Sequence, residues 1–490
     1  METTLDLSTL NLAVVLPELT LIVFAILVMA ADVFATPKNP APRQWTPWIA
    51  LAGVVAAAIV NLSVSGREVT LFQGAAILDK FAVGLNYIIL LATGLGILLS
   101  VKYIPRINKQ VGEYYALTLL TATGMMMMGA ALDLITLFLA LEIFSLALYI
   151  LSGLNRTSPR STEAAIKYFL LGAFSSSFFA YGGALIYAGT GTTQYYGIAQ
   201  VTAAGLANTP LLYAGIALLV AGFGFKVSLV PFHSWTPDVY QGAPTPVTAF
   251  MSVGTKAAAF AAFFRVMLVA LPFSYGAWSM PLALLAVITM AVGNFAALQQ
   301  RSLKRMLAYS SIAHAGYILT ALAGGAAEGA DAALFYLFTY AFMNIGAFAV
   351  VMALEEMGAE DAMQDRAKGL GKTHPIMAFL MAIFMFGLSG MPPLAGFYGK
   401  ILLFEAAVAG GMIWLAIVAV AFTAVGAVYY LRVIANMYFA DPVDESADEV
   451  NRSLPLDVGL AIAVAGTILV GVFPGFWMNA FQQSMALFGG

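Results

Sequence analysis

About fourteen apolar stretches of roughly twenty residues or more run through this chain, and no other feature limits its fold so strongly. They lie near 12–34, 45–63, 77–100, 111–130, 132–152, 162–189, 210–240, 243–268, 280–298, 303–324, 330–354, 375–409, 411–438 and 455–479. A hydrocarbon core of ~30 Å is crossed by about 20 such residues in a helix. Lipid offers no partner to backbone N–H and C=O groups, so each crossing must be a helix or part of a closed barrel. The short alternating strands of a barrel are not seen. The expected fold is an all-α polytopic membrane protein. Composition agrees, with 61% hydrophobic and 10% charged residues, against about 25% charged in soluble domains. Zero cysteines exclude disulfides and cysteine-ligated iron–sulfur clusters, and three histidines argue against a haem bundle. A net charge of −3 supplies no basic field for nucleic acid. The first stretch follows Glu2 and Asp6 rather than basic residues and is long, so it reads as a retained helix.

Lys and Arg set the orientation. With the stretches numbered as segments one to fourteen, one side collects Lys38, Arg43, Lys102, Arg106, Lys109, Arg156, Arg160, Arg301, Lys304, Arg305, Arg366, Lys368, Lys372, Arg432 and Arg452. The other holds Arg67, with Lys80 and Arg265 near its segment ends. Fifteen against three makes the first side cytoplasmic and places both termini in the periplasm.

Lys167, Lys226, Lys256 and Lys400 fall inside apolar segments, as do Glu142 and His314. Burying an ionised group costs several kcal/mol unless it is paired or hydrated. Snorkelling toward the interface accounts for a lysine near a segment end, with Lys167 the best case. It does not account for Lys256, far from either end of its segment. The expectation is a functional polar axis.

Two of these segments also contain helix breakers. Segment seven holds Gly222 and Gly224, then Lys226 and Pro231; segment twelve reads Gly390-Met391-Pro392-Pro393-Leu394-Ala395-Gly396, then Lys400. Non-helical backbone at membrane depth is tolerated where it is buried in protein or lines a cavity. The two breaks lie five segments apart, so their segments run in opposite directions. That is the geometry of an inverted repeat. The expected units are 1–110 (segments one to three), 111–270 (four to eight), 271–440 (nine to thirteen) and 441–490 (an acidic loop and segment fourteen). The repeat sets Glu142 against His314.

The run Lys226-Val227-Ser228-Leu229-Val230-Pro231-Phe232-His233-Ser234-Trp235-Thr236-Pro237-Asp238, with Gly242-Ala243-Pro244-Thr245-Pro246-Val247 after it, strongly resembles the antiporter-like subunits of respiratory complex I. Arg301-Ser302-Leu303-Lys304-Arg305-Met306-Leu307-Ala308-Tyr309-Ser310-Ser311-Ile312-Ala313-His314 is similar to their segment-ten signature. Within the family, Gly387-Leu388-Ser389-Gly390-Met391-Pro392-Pro393 through Lys400 resembles the N-type members. M-type members are acidic where this chain has Lys400, and L-type members carry a long lateral helix after segment fourteen. The resemblance implies that Glu142, Lys167, Lys226, Lys256, His314 and Lys400 serve proton translocation in a bacterial inner-membrane subunit. It implies no cofactor in this chain, with NADH, flavin, iron–sulfur clusters and quinone in partner subunits. Other complex I membrane subunits are the expected partners, above all an M-type neighbour, besides the bilayer, protons and water. A multi-subunit cation/proton antiporter shares the segment-seven and segment-ten motifs and is the alternative.

The residue types suit that role. Desolvation disfavours a charged lysine and a nearby carboxylate restores it, so Glu142 would load Lys226 when close and release it when apart. Arginine could not serve, because it does not deprotonate in proteins. Met125–Met128 reads as packing. His233 and Asp238 suit either proton uptake or loop anchoring, and His374 reads as solvated. The acidic cluster Asp441, Asp444, Glu445, Asp448 and Glu449 is either a solvated loop or a docking site. Gly222-Phe223-Gly224 lacks the third glycine of a nucleotide fingerprint. Asn155-Arg156-Thr157 matches a glycosylation signal in a cytoplasmic loop, hence by chance.

Overall fold

The computed structural model describes residues 12–35, 41–107, 111–355, 367–442 and 453–485. Glu2, Asp6, Lys38, Lys109, Arg366, Asp444, Glu445, Asp448, Glu449 and Arg452 lie outside the described residues. The first crossings are α1 (Leu16–Val33), α2 (Ala41–Val64), α3 (Lys80–Ile107), α4 (Val111–Ala130), α5 (Leu134–Ser152) and α6 (Pro159–Thr190). A short α7 (Tyr195–Ala203) precedes the broken seventh crossing, α8 (Thr209–Val227) and α9 (Trp235–Gly242). Then follow α10 (Thr245–Arg265), α11 (Tyr275–Leu298), α12 (Leu303–Gly324), α13 (Glu328–Leu354) and the short α14 (Leu370–Thr373). The broken twelfth crossing is α15 (Pro375–Ser389) and α16 (Ala395–Ala409). The last helices are α17 (Ile413–Phe439), α18 (Leu454–Val472) and α19 (Pro474–Met485). Among the described residues, twelve helices are long and apolar enough to cross a membrane. The more polar α4 and the divided twelfth crossing complete the fourteen expected segments.

Several boundaries are written in local chemistry. Asp133 caps α5 by accepting from the Ile135 amide at 2.7 Å. Ser158, Ser302 and Ser453 accept at the starts of α6, α12 and α18. Each satisfies an amide that the first helical turn leaves without a partner. Gly325 ends α12 in the left-handed region, at φ 69°.

Burial separates centre from periphery. Every residue of α10 is buried, and nearly all of α12 and α13 with it. The outer helices keep an exposed apolar face, such as Ile135, Leu139, Ile143, Leu146 and Ile150 on α5. In lipid such a face is solvated by acyl chains, so it needs no protein cover.

Three features were not anticipated from the sequence. A hairpin pairs β1 (Val69–Leu71) with β2 (Ala76–Leu78), too short to leave an alternating pattern. The stretch expected at 455–479 divides at Pro474 into α18 and α19. Arg265, expected near a segment end, is buried in a two-pronged pair with Asp79 (2.7 and 2.9 Å) and also donates to the Gly129 carbonyl at 2.9 Å. It is a core ion rather than a surface charge.

Candidate functional site

The two breaks close alike and differ in what covers the remaining carbonyls. A helix end inside a membrane leaves carbonyls that no water can satisfy. After α8, Ser228 turns left-handed at φ 66°. The Leu229 amide then donates to Gly224 (2.7 Å), and the Trp235 indole donates to Phe225 (2.9 Å). The Thr236 hydroxyl donates to Ser228 (2.7 Å), and Thr289 of α11 accepts the Val230 amide at 3.0 Å. After α15, Gly390 turns left-handed and the Met391 amide donates to Phe386 (3.0 Å), and Lys400 covers the next carbonyls. Its ammonium donates to the Leu388 and Ser389 carbonyls, each at 3.0 Å, and lies 5.1 Å from the centre of the Tyr317 ring. A cation there also faces the negative end of the α15 dipole. Gly390 makes this approach fit: its φ is +84°, and a Cβ would meet Lys400 Cδ at 3.0 Å.

Lys226, Lys256, His314 and Lys400 are 1%, 1%, 2% and 5% exposed. Lys226, at the end of α8, donates to Ser145 Oγ at 2.7 Å. The Ser145 hydroxyl donates in turn to the Leu141 carbonyl, leaving its lone pairs for the ammonium. Glu142 is half-buried one turn away on α5, and its Oε1 is buried without a hydrogen-bond partner among the described residues. Among the described residues Glu142 and Lys226 form no salt bridge, and Ser145 is the group that holds the ammonium.

Lys256 reaches from α10 to the Ser311 carbonyl of α12 at 2.5 Å. One turn further along α12, His314 is bonded through Nδ1 to the Tyr336 hydroxyl and through Nε2 to the Tyr430 hydroxyl at 2.9 Å. Tyr430 is also 2.5 Å from Ser310 Oγ. Asn294 donates to the Tyr317 hydroxyl at 3.0 Å and accepts from Tyr429 at 3.2 Å. Lys256, His314 and Lys400 thus share one buried polar region built by α10, α12, α13, α16 and α17. Lys226 and Lys400 stand on opposite sides of their breaks, the first before and the second after.

Lys167 stands apart. Its side chain is 39% exposed and pairs with Asp238 and Glu163, both at 2.6 Å. Asp238 also pairs with Arg305 at 2.7 Å, so this carboxylate joins α6, α9 and α12. Met125, Met126 and Met128 are buried, with the Met125 sulfur against Gly254. Lys372 pairs with Asp441 at 2.7 Å. His233 lies half-buried in the first break, with Nδ1 unpartnered among the described residues. His374 is half-buried at the start of α15.

Sequence reasoning did not find Ser145, Tyr336 or Tyr430. Ser145 lies three positions after Glu142, on the same helix face, and that spacing was a usable signal. Tyr336 and Tyr430 come from helices distant in sequence, and nothing local marks them.

The fold and site define a polytopic helical membrane protein with an enclosed row of ionisable side chains at and between two broken helices. Residues 131–426 match the family described as NADH:quinone oxidoreductase/Mrp antiporter, TM. The chain is 47% identical over 480 residues to NADH-quinone oxidoreductase subunit N of Trichlorobacter lovleyi, covering 98% of each. It resembles a chain of respiratory complex I from Thermus thermophilus with bound aureothin at TM-score 0.81 and 33% identity, covering 95% of this chain and 99% of that one. A chain of the Mrp complex from Dietzia sp. DQ12-45-1b shares the fold at TM-score 0.79 and 21% identity, covering 96% and 97%. The chain belongs to the family of antiporter-like membrane subunits of NADH:quinone oxidoreductase and Mrp complexes.

Proposed function

We propose that this chain is the N-type, proton-translocating subunit of an NADH:quinone oxidoreductase in a bacterial inner membrane. The observation that carries the reading is the enclosure of Lys226, Lys256, His314 and Lys400 in four different crossings. Each lysine is held by a group that also lets it go: a hydroxyl, one carbonyl, or a helix end. Among the described residues none is locked in an ion pair, so loading and release of a proton is not opposed by a fixed counter-charge there. Glu142 supplies the movable charge, acting on Lys226 more strongly as Ser145 yields its place. Moving a proton against 100 mV takes ~2.3 kcal/mol.

In this reading the subunit holds no redox group. NADH, flavin, iron–sulfur clusters and quinone belong to partner subunits, whose chemistry drives the protons. An M-type membrane subunit is the neighbour, and both termini face the periplasm. Units 111–270 and 271–440 each contribute one break and its lysine. Lys226→Ala, Lys256→Ala and Lys400→Ala should each reduce proton uptake by reconstituted complex during NADH oxidation. Wild-type pumping in all three would defeat the reading, and sodium transport without quinone chemistry would favour the cation/proton antiporter instead.

A further inference from the structure

His314 has both ring nitrogens committed to phenols on different helices, Tyr336 on α13 and Tyr430 on α17. A neutral imidazole donates through one nitrogen and accepts through the other. One phenol therefore donates to the ring while the other accepts from it. The surroundings of each phenol approach one of the two lysine sites. Tyr430 lies 2.5 Å from Ser310 Oγ, and the neighbouring Ser311 carbonyl accepts from Lys256. Tyr336 packs on α16, where a Cβ on Gly399, next to Lys400, would fall 2.7 Å from the ring. All three side chains are at most 2% exposed. We propose that Tyr336 and Tyr430 carry protons to and from His314, which makes the imidazole a two-sided bridge between the Lys256 and Lys400 sites. This rests on the proton-translocating reading above.

The step balances without a charged intermediate. In the Nδ1–H tautomer, Tyr430 gives its hydroxyl proton to Nε2 and takes another from the Ser310 hydroxyl. Ser310 is resupplied from the Lys256 side through water. Nδ1 gives its proton to the Tyr336 oxygen, and Tyr336 releases its own toward Lys400. One proton enters, one leaves, and the ring ends as the Nε2–H tautomer. A second proton in the same direction must wait for the ring to regain its first tautomer, so the bridge passes protons singly.

The competing explanation is that the phenols merely orient the ring. Tyr336→Phe and Tyr430→Phe keep the aromatic packing and remove only the hydroxyl. Proton pumping by purified, reconstituted complex, at matched complex content, should fall on the order of a hundredfold in each. The double variant should be no worse than the slower single, because the two hydroxyls act in series. The solvent deuterium isotope effect on pumping should rise above its wild-type value. Tyr340→Phe, stacked on Tyr336 but not bonded to His314, serves as the packing control and should pump normally. Full pumping in either phenylalanine variant overturns the bridge, as do additive losses with an unchanged isotope effect. If Lys226→Ala, Lys256→Ala and Lys400→Ala also pump normally, the functional reading fails with it; if Lys256→Ala and Lys400→Ala are inactive, only the bridge fails. Should a phenylalanine variant not assemble, 3-fluorotyrosine at position 336 decides. It acidifies the phenol with little change of shape, and an unshifted pH profile of pumping overturns the bridge.

Discussion

Lys400 combines a structural duty with a proton-handling one, and the two separate experimentally. Lys400→Met keeps a similar volume but removes the donor to the Leu388 and Ser389 carbonyls. Each buried acceptor left unpaired costs about 1–3 kcal/mol. The loss of the cation at the α15 terminus adds about 0.3–1 kcal/mol. The expected destabilisation is about 2–7 kcal/mol. Lys400→Arg retains the charge and can still donate to both carbonyls. Its cost is the larger guanidinium beside Gly390, about 1–3 kcal/mol. Yet arginine does not release a proton in a protein. The methionine variant should therefore lose both heat resistance and pumping, whereas the arginine variant should keep most of its heat resistance and still fail to pump. Heat inactivation of solubilised complex and proton uptake during NADH oxidation read the two effects separately. Full pumping by the arginine variant would refute the reasoning and leave Lys400 as a fixed cap on a helix end.

Ser145→Ala removes the hydroxyl that holds Lys226, so pumping should fall even though Glu142 and Lys226 are intact. Glu142→Gln combined with Lys226→Ala should cost less than the two single losses added, because both disturb one interaction; strictly additive losses in a pumping assay would oppose coupling. Arg265→Met should destabilise the complex by about 3–5 kcal/mol, by leaving the Asp79 carboxylate buried alone. Adding Asp79→Leu should recover much of that loss, as heat inactivation would measure. Reporter fusions at Met1 and Gly490 should both report the periplasm, and opposite locations would mean a miscounted crossing.

The crossings were legible because lipid imposes a length and an apolar composition that few other folds share. The ionisable residues were legible for the same reason: Lys256 stands out in an alanine- and phenylalanine-rich helix as it would not in a soluble protein. The Gly-Met-Pro-Pro run announced the second break. That Ser145 rather than Glu142 holds Lys226 could not be read, since helix order shows which side chains share a layer but not their rotamers. The Arg265–Asp79 pair joins positions 186 residues apart, and no local pattern connects them. Tyr336 and Tyr430 escaped because tyrosine is ordinary at membrane interfaces, and only tertiary structure gathers these two around His314. Lys167 looked intramembrane by position. Its ion pairs depend on α9, whose place follows from the break in the seventh crossing.

The bundle is pinned at both of its ends. On the side with most basic loops, Asp238 holds Lys167 and Arg305 together, and Glu355 accepts from Thr245 and Lys304. At the opposite end, Arg265 grips Asp79 and the Gly129 carbonyl inside the protein. These fasteners join α6 and α9 to α12, α10 and α12 to the end of α13, and α10 to the opening helices. Rocking α6, α9 and α10 against α12 and α13 would have to tear the Asp238 and Glu355 contacts, and shifting α10 against the opening helices costs about 3–5 kcal/mol at the Arg265 pair alone. That exceeds the ~2.3 kcal/mol needed to lift one proton through 100 mV. The scaffold is thus better suited to stand still than to swing. Proton transfer across such a scaffold needs only movements of a side chain's reach.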